Sequence, residues 1–114
     1  MVERQLDAAL RGLPPDQAVS ITIAYEPVCA IGTGRTASPD QAQELHAHIR
    51  GWLRAHFPRF VADDLRIQYG GSVKASNAAS LFAMPDIDSA LVGGASLTAA
   101  EFLGIVSAAS STPR

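Results

Sequence analysis

Residues 24–34 read Ala-Tyr-Glu-Pro-Val-Cys-Ala-Ile-Gly-Thr-Gly, and the remainder of the chain is arranged around this segment. An apolar run ends on the carboxylate of Glu26, and Pro27 follows directly. Proline has no N–H for a sheet ladder and pushes the preceding residue toward extended geometry, so Glu26 is predicted to be the last residue of a strand. A carboxylate at a strand end, followed by a loop bounded by proline and glycine, indicates a catalytic base beneath a lid.

Strands alternate with helices along the chain. The first strand, residues 19–26, is a nearly continuous apolar run, which is typical of a strand buried on both faces of a parallel sheet. Further strands are predicted over residues 65–69 and 88–92, and helices over residues 2–13, 38–57, 76–84 and from 98 onward. Such alternation forms right-handed βαβ units, so the fold class is predicted as α/β with a parallel sheet.

Two of the helices carry N-terminal capping signals. Ser38 is followed by a proline at the first helical position and by Gln41, which predicts a capping box. Thr98 and Glu101 have the same spacing, so a second capping box is predicted there. Leu97 precedes that helix and is expected to form a hydrophobic staple.

Composition excludes several classes of function. The chain has 114 residues and a net charge of −2 without a basic cluster, so nucleic acid is not an expected partner. No apolar run approaches the ~20 residues of a membrane helix, and the N-terminus lacks a signal-peptide layout. One cysteine excludes an internal disulfide and a multi-cysteine metal site. We therefore expect a single cytosolic domain that does not bind membranes.

Three predicted strands end in glycine-rich turns on one face of the sheet. These turns are Gly32-Thr33-Gly34, Gly70-Gly71-Ser72 and Gly93-Gly94. Backbone N–H groups of such turns converge on anions, and a following helix N-terminus adds partial positive charge. The turns are therefore interpreted as a phosphate cradle, the alternative being that the glycines only form tight turns.

Glu26 also allows two interpretations. A glutamate at a strand end is often a salt-bridge partner or a solvated rim residue. Here the following loop carries Val28 and Ile31, and Leu91 lies near the end of the third strand. An apolar lid disfavours the charged carboxylate and makes it a stronger base, which favours the catalytic interpretation.

The histidines point to no metal or catalytic site. His46, His48 and His56 all lie on the predicted helix that begins at Ser38. We expect them at the surface, with Trp52 of the same helix in the core or in helix packing.

These motifs resemble the triosephosphate isomerase family. That family surrounds its catalytic glutamate with Ala-Tyr-Glu-Pro-Val-Trp-Ala-Ile-Gly-Thr-Gly, which residues 24–34 match except at one position. Residues 69–73 and 91–97 resemble two further motifs of the family in the right order, and the similarity runs from about residue 2 to about residue 109. The resemblance implies a partial TIM (β/α)8 barrel, in which residues 1–114 form a single partial domain carrying the last three strands.

The resemblance also implies roles for individual residues. Glu26 would transfer the proton that interconverts dihydroxyacetone phosphate and glyceraldehyde 3-phosphate, a reaction of glycolysis and gluconeogenesis. The substrate phosphate would bind Gly32, Ser72, Gly93 and Gly94. The closing lid would comprise residues 27–37, including Pro27, Val28, Cys29, Ala30, Ile31, Thr33 and Gly34. Tyr69 and Ser72 would latch the closed lid, and Ile31 and Leu91 would press on Glu26. No cofactor or metal is implied, and the family is homodimeric.

Two departures from the family affect this expectation. Cys29 stands where the family has tryptophan, either as a packing replacement or as a reactive thiol, and predicts a looser lid. The family's electrophilic histidine and substrate-binding asparagine and lysine lie on earlier strands, and no residue here matches them. The chain is therefore predicted to be catalytic only when joined to the rest of a barrel. The alternatives are a non-catalytic phosphate-binding module and an unstable remnant with exposed strand edges and a wet apolar face.

Overall fold

The computed structural model describes residues 2–26 and 37–112. It contains three strands, six α-helices and one short 3-10 helix within those ranges. In chain order these are α1 (Val2–Leu10), α2 (Pro15–Ala18), β1 (Thr22–Tyr25), α3 (Pro39–His56), α4 (Arg59–Asp64), β2 (Arg66–Tyr69), α5 (Ala75–Phe82), β3 (Ser89–Ala90), the 3-10 helix Gly94–Leu97, and α6 (Ala99–Ser111). Sequence patterns did not predict the short helices α2 and α4.

The strands form one parallel sheet in the order β1-β2-β3, which confirms the predicted fold class. Ile23 pairs with Ile67 and Tyr69 pairs with Ala90. The ladder continues past the strand ends, because Gly70 N–H donates to Tyr25 O and Leu91 N–H donates to Tyr69 O, both at 2.9 Å. The carboxyl ends of all three strands therefore lie at the same edge of the sheet.

Helices cover one face of the sheet through two apolar clusters. The first cluster joins α1, α2, α3, α4 and β2 through Leu6, Leu10, Ala18, Ile49, Leu53, Val61, Ala62, Leu65 and Ile67. The second joins α3, β2, α5 and α6 through Ala42, Tyr69, Val73, Ala78, Leu81, Phe82, Ile87 and Ile105. Because side chains alternate along a strand, Ile67 and Tyr69 belong to this helix-covered face.

The other face of the sheet is open and polar. Thr22 and Ala24 of β1 are exposed, as is Arg66 of β2, and Gln68 is half-buried. The prediction that the first strand is buried on both faces was wrong, since no residue of β1 is buried. The unstable-remnant alternative assumed a wet apolar face, but on β2 the alternation that buries Ile67 places Arg66 and Gln68 on the open face.

The two predicted capping boxes had opposite outcomes. At the start of α3, Gln41 N–H donates to Ser38 Oγ at 3.1 Å and Ser38 N–H donates to Gln41 Oε1 at 3.0 Å, which confirms the first box. The second was wrong: Thr98 makes no side-chain cap, and Glu101 instead accepts from the N–H of Ala75 on α5. Leu97 is 89% exposed, so the predicted staple is absent as well.

No helix among the described residues has the length and apolar character to span a membrane.

Candidate functional site at the carboxyl edge of the sheet

β1 ends at Tyr25, one residue before the predicted strand end at Glu26, and the side chain of Glu26 is exposed. The next strand's loop lies against it. A Cβ added at Gly70 would lie 3.0 Å from Tyr25 O and 3.3 Å from Glu26 Cα. Glycine at this position therefore permits the loop after β2 to approach the carboxylate-bearing residue.

Gly71, the next residue, allows the same loop to pack on the side chain of Tyr69. Tyr69 is fully buried, and a Cβ at Gly71 would overlap its hydroxyl and ring. Asn77 of α5 secures the loop from the other side, because its Nδ2 donates to Ser72 O at 3.0 Å and its Oδ1 accepts from Lys74 N–H at 2.7 Å. The loop that presents Ser72 is thus held between a buried ring and a helix.

Ser72 and the Gly93-Gly94 turn line one cleft of about 420 Å³, which we call the glycine cleft. Its walls also include Gly71, Val73, Lys74, Ala95, Thr98 and Glu101. The space around Gly93 and Gly94 is open, since a Cβ at either would meet no atom of the described chain within 4 Å. Three of the four residues expected to bind phosphate therefore lie around one cleft.

The N-terminus of α5 was expected to offer partial positive charge to a phosphate, but a carboxylate is already bound there. Glu101 Oε2 accepts the N–H of Ala75 at 3.0 Å, so a carboxylate already occupies the first amide of α5. An anion in the glycine cleft would therefore meet the Gly93-Gly94 turn and the Ser72 loop rather than the free N-terminus of α5.

Glu26 does not line the glycine cleft. It lines a separate apolar groove of about 470 Å³ with residues of α1, β1 and α3, among them Leu6, Ile23 and Ile49. Leu91 is 51% exposed and lines a third groove with Phe102 and Val106. The lid predictions, Pro27, Val28, Cys29, Ala30, Ile31, Gly32, Thr33 and Gly34, lie outside the described residues.

His46 was wrongly expected at the surface. It is fully buried, and its Nδ1 lies 3.2 Å from the backbone oxygen of Asp86, at the amino end of β3. Burial lowers the pKa of this imidazole, while Asp86 and Asp88 oppose the shift. His48 and His56 are exposed as predicted, and Trp52 is half-buried and stacks on His56 at a centroid distance of 3.9 Å.

A spacing signal could have identified His46. It lies four residues after Ala42 and three before Ile49, on the stripe of α3 that faces the sheet. Arg50, which sequence reasoning did not single out, belongs to the same stripe and is also buried. Within residues 2–26 and 37–112, no group of three His, Cys, Asp or Glu side chains is placed to hold a metal ion.

Comparison with known proteins agrees with this architecture. The family model described as "Triosephosphate isomerase" matches residues 1–109. Triosephosphate isomerase of Chloroherpeton thalassium is 57% identical over 109 residues, which cover 96% of this chain and 43% of the relative. The enzyme of Hahella chejuensis is 58% identical over 106 residues, covering 93% and 42%, and that of Bordetella pertussis is 59% identical over 108 residues, covering 95% and 42%.

A parallel α/β sheet with glycine-rich turns at its carboxyl edge is consistent with part of a (β/α) barrel protein. Together with the match over residues 1–109, this shows that the chain belongs to the triosephosphate isomerase family. The chain spans less than half the length of the curated relatives it matches.

Proposed function

We propose that this chain supplies the proton-transferring and phosphate-binding part of a triosephosphate isomerase, which interconverts dihydroxyacetone phosphate and glyceraldehyde 3-phosphate. The observation that carries the proposal is the placement of Glu26, Ser72 and Gly93-Gly94 at one edge of the sheet, beyond the ends of successive parallel strands. Barrel enzymes have their active sites at this edge.

In this proposal Glu26 is the base that moves a proton between the two carbons next to the substrate carbonyl. Ser72, Gly93 and Gly94 bind the substrate phosphate together with Gly32. The lid formed by residues 27–37 closes over the site and is latched by Tyr69 and Ser72, while Ile31 and Leu91 press on the base. The reaction needs no cofactor or metal.

The placement of Tyr69 supports its latching role. Its ring is fully buried and its hydroxyl lies beneath Gly71, in the loop that carries Ser72. A ring fixed in this way is a rigid platform for a moving loop, because the side chain has little rotamer freedom left to lose.

Following the family, the whole enzyme is proposed to be a cytoplasmic homodimer that serves glycolysis and gluconeogenesis.

The 114 residues alone are proposed to be inactive, because Glu26 needs an electrophile that polarises the substrate carbonyl. Among the described histidines, His46 binds the backbone of Asp86 at the amino end of β3, and the exposed His48 and His56 lie on the same helix. None of the three lines the groove of Glu26 or the glycine cleft. The family's histidine, asparagine and lysine come from earlier strands of the barrel.

The test joins this chain to the preceding strands of a relative's barrel and measures isomerase turnover. Glu26→Gln should lower kcat by about 10²–10⁴-fold, the usual contribution of a general base, with a much smaller change in KM. The matched control is Glu44→Gln, an exposed glutamate on α3, which should leave kcat unchanged. A Glu26→Gln variant with full kcat would overturn the proposal.

A second candidate function is a module that binds phosphate without catalysis. It is favoured by the separation of the glycine cleft from the groove that Glu26 lines. The joined barrel distinguishes the two functions: saturable phosphate shifts at Ser72 and Gly94 without isomerase turnover would support the module.

A further inference from the structure

The starts of α5 and α6 are fastened together beside the glycine cleft. Glu101 Oε2 on α6 accepts the N–H of Ala75, the first residue of α5, at 3.0 Å. Gly104 lies three residues further along α6, where a Cβ would come within 2.7 Å of Ala75 Cβ. The missing side chain at residue 104 therefore lets α6 approach closely enough for Glu101 to reach that amide.

This contact supports one wall of the cleft. The first amides of a helix have no partner within the helix and need an external acceptor. Asn77 Oδ1 accepts the N–H of Lys74, and Glu101 accepts the next N–H along the chain, that of Ala75. Because Asn77 also donates to Ser72 O, the whole turn from Ser72 to Ala75 is held in place.

The same contact also sets the position of the opposite wall. The 3-10 helix Gly94–Leu97 leads through Thr98 directly into α6, so the position of α6 determines the position of the Gly93-Gly94 turn. Ser96 closes that turn locally, with both its N–H and its hydroxyl donating to Gly93 O. Fastening α6 to α5 thus fixes the separation between Gly94 and Ser72.

We propose that Glu101 is a positioning residue for substrate phosphate: it holds the Ser72 loop and the Gly93-Gly94 turn at the separation that one phosphate group needs. This inference rests on the proposed function, since it takes the glycine cleft as the phosphate site. Glu101 acts through the backbone of Ala75 and does not contact the phosphate. Glutamine at this position retains an oxygen acceptor, whereas alanine removes it.

The experiment titrates the ¹⁵N-labelled 114-residue chain with inorganic phosphate and follows the amide signals of Ser72, Gly93 and Gly94. Glu101→Ala should raise the phosphate Kd by up to about tenfold, the factor that corresponds to the net contribution of one hydrogen bond. Glu101→Gln keeps the hydrogen bond to Ala75 and removes a carboxylate that repels phosphate, so its Kd should be no more than about threefold above that of the unmodified chain. Glu44→Ala removes an equivalent charge away from the cleft and should leave the Kd unchanged.

A second variant reaches the same contact by another route. Gly104→Ala keeps Glu101 but forces α6 away from Ala75, so it should weaken phosphate binding in the same direction as Glu101→Ala. Urea unfolding of each variant measures stability separately, and a merely structural role would lower stability without changing the Kd.

The outcomes separate this inference from the function it rests on. If the unmodified chain binds phosphate and Glu101→Ala binds it equally or more tightly, only the positioning role is overturned. If neither the unmodified chain nor the joined barrel shows a saturable phosphate shift, the phosphate site and its positioning residue are overturned together. Isomerase turnover of the joined barrel then still tests the proton-transfer role of Glu26.

Discussion

Arg50 donates from Nη2 to Asp88 Oδ2 at 2.7 Å, and the same oxygen accepts the N–H of Ile67 at 2.9 Å. Arg50 is 4% exposed, and its other donors reach Asp86 and two carbonyl oxygens at the end of α4. One guanidinium therefore joins α3, α4 and the segments that enter β2 and β3. This junction lies at the amino edge of the sheet, opposite the candidate site, where barrel residues serve stability.

Replacing Arg50 with methionine should lower the free energy of unfolding by about 3–5 kcal/mol, because two partly buried carboxylates lose their cation. Urea or guanidinium denaturation of the chain measures this loss. The matched control is Arg54→Met. Arg54 lies one turn after Arg50 on α3 and forms a solvent-exposed ion pair with Asp63. That change should cost much less stability than Arg50→Met, because solvent screens an exposed ion pair. Equal losses in the two variants would contradict the assigned role of Arg50.

His46 predicts an acid-sensitive fold. Burial lowers the pKa of His46 in the folded chain below its ordinary value of 6.5, against the opposing effect of Asp86 and Asp88 and with a smaller contribution from Arg50. The unfolded chain then binds more protons than the folded chain below that pH, so stability falls as the pH drops. The contribution is fully present above about pH 6.5 and is lost progressively down through the lowered folded pKa.

The measurement for His46 is the free energy of unfolding between pH 7.5 and pH 5. His46→Phe should flatten the dependence over this window, although it also removes the hydrogen bond to Asp86 and lowers stability at every pH. His56→Gln removes an exposed histidine of the same helix and should keep the slope. An unchanged slope in His46→Phe would show that another group titrates.

Gly71 and Gly94 should respond to alanine in different ways. At Gly71 the added Cβ would overlap the buried Tyr69 ring, so the loop has to move and stability should fall by about 1–3 kcal/mol. At Gly94 the Cβ enters open space, and stability should change by no more than about 0.5 kcal/mol. Phosphate binding should nevertheless weaken at Gly94, because the methyl group enters the glycine cleft.

Denaturation curves and phosphate titrations of both glycine variants test this distinction. The proposal for the cleft fails if Gly94→Ala binds phosphate as tightly as the unmodified chain. The structural role of Gly71 fails if Gly71→Ala retains full stability.

Local chemistry explains what could be predicted from the sequence. The Ser38–Gln41 capping box involves residues three apart, and the structure confirms it. The same motif failed at Thr98, since Glu101 found a partner 26 positions away, which no local pattern contains. The burial of His46 followed from helical spacing, but residue type outweighed spacing in the prediction.

The site was predicted less completely than the fold. A strand end determines where a residue lies in the sheet, but it does not determine which residues of the helices pack around it. The motifs predicted that Glu26, Ser72 and Gly93 follow the ends of the three strands, and the structure has them at the carboxyl edge of the sheet. They did not indicate that Glu101 lines the glycine cleft, or that Glu26 lines a groove with α1. Both facts depend on helix packing, which is set by residues such as Gly104 that carry no motif.

Cys29 provides the last prediction, made from the sequence because this residue lies outside the described ranges. A thiol buries far less surface than an indole, which buries about 150–250 Å², so tryptophan should hold the lid more firmly over the intermediate. In the joined barrel, Cys29→Trp should raise kcat or lower the fraction of turnovers that lose the enediolate. Cys29→Ser separates packing from thiol reactivity, because it removes the thiol without adding surface. If Cys29→Trp changes neither quantity, residue 29 does not limit lid closure.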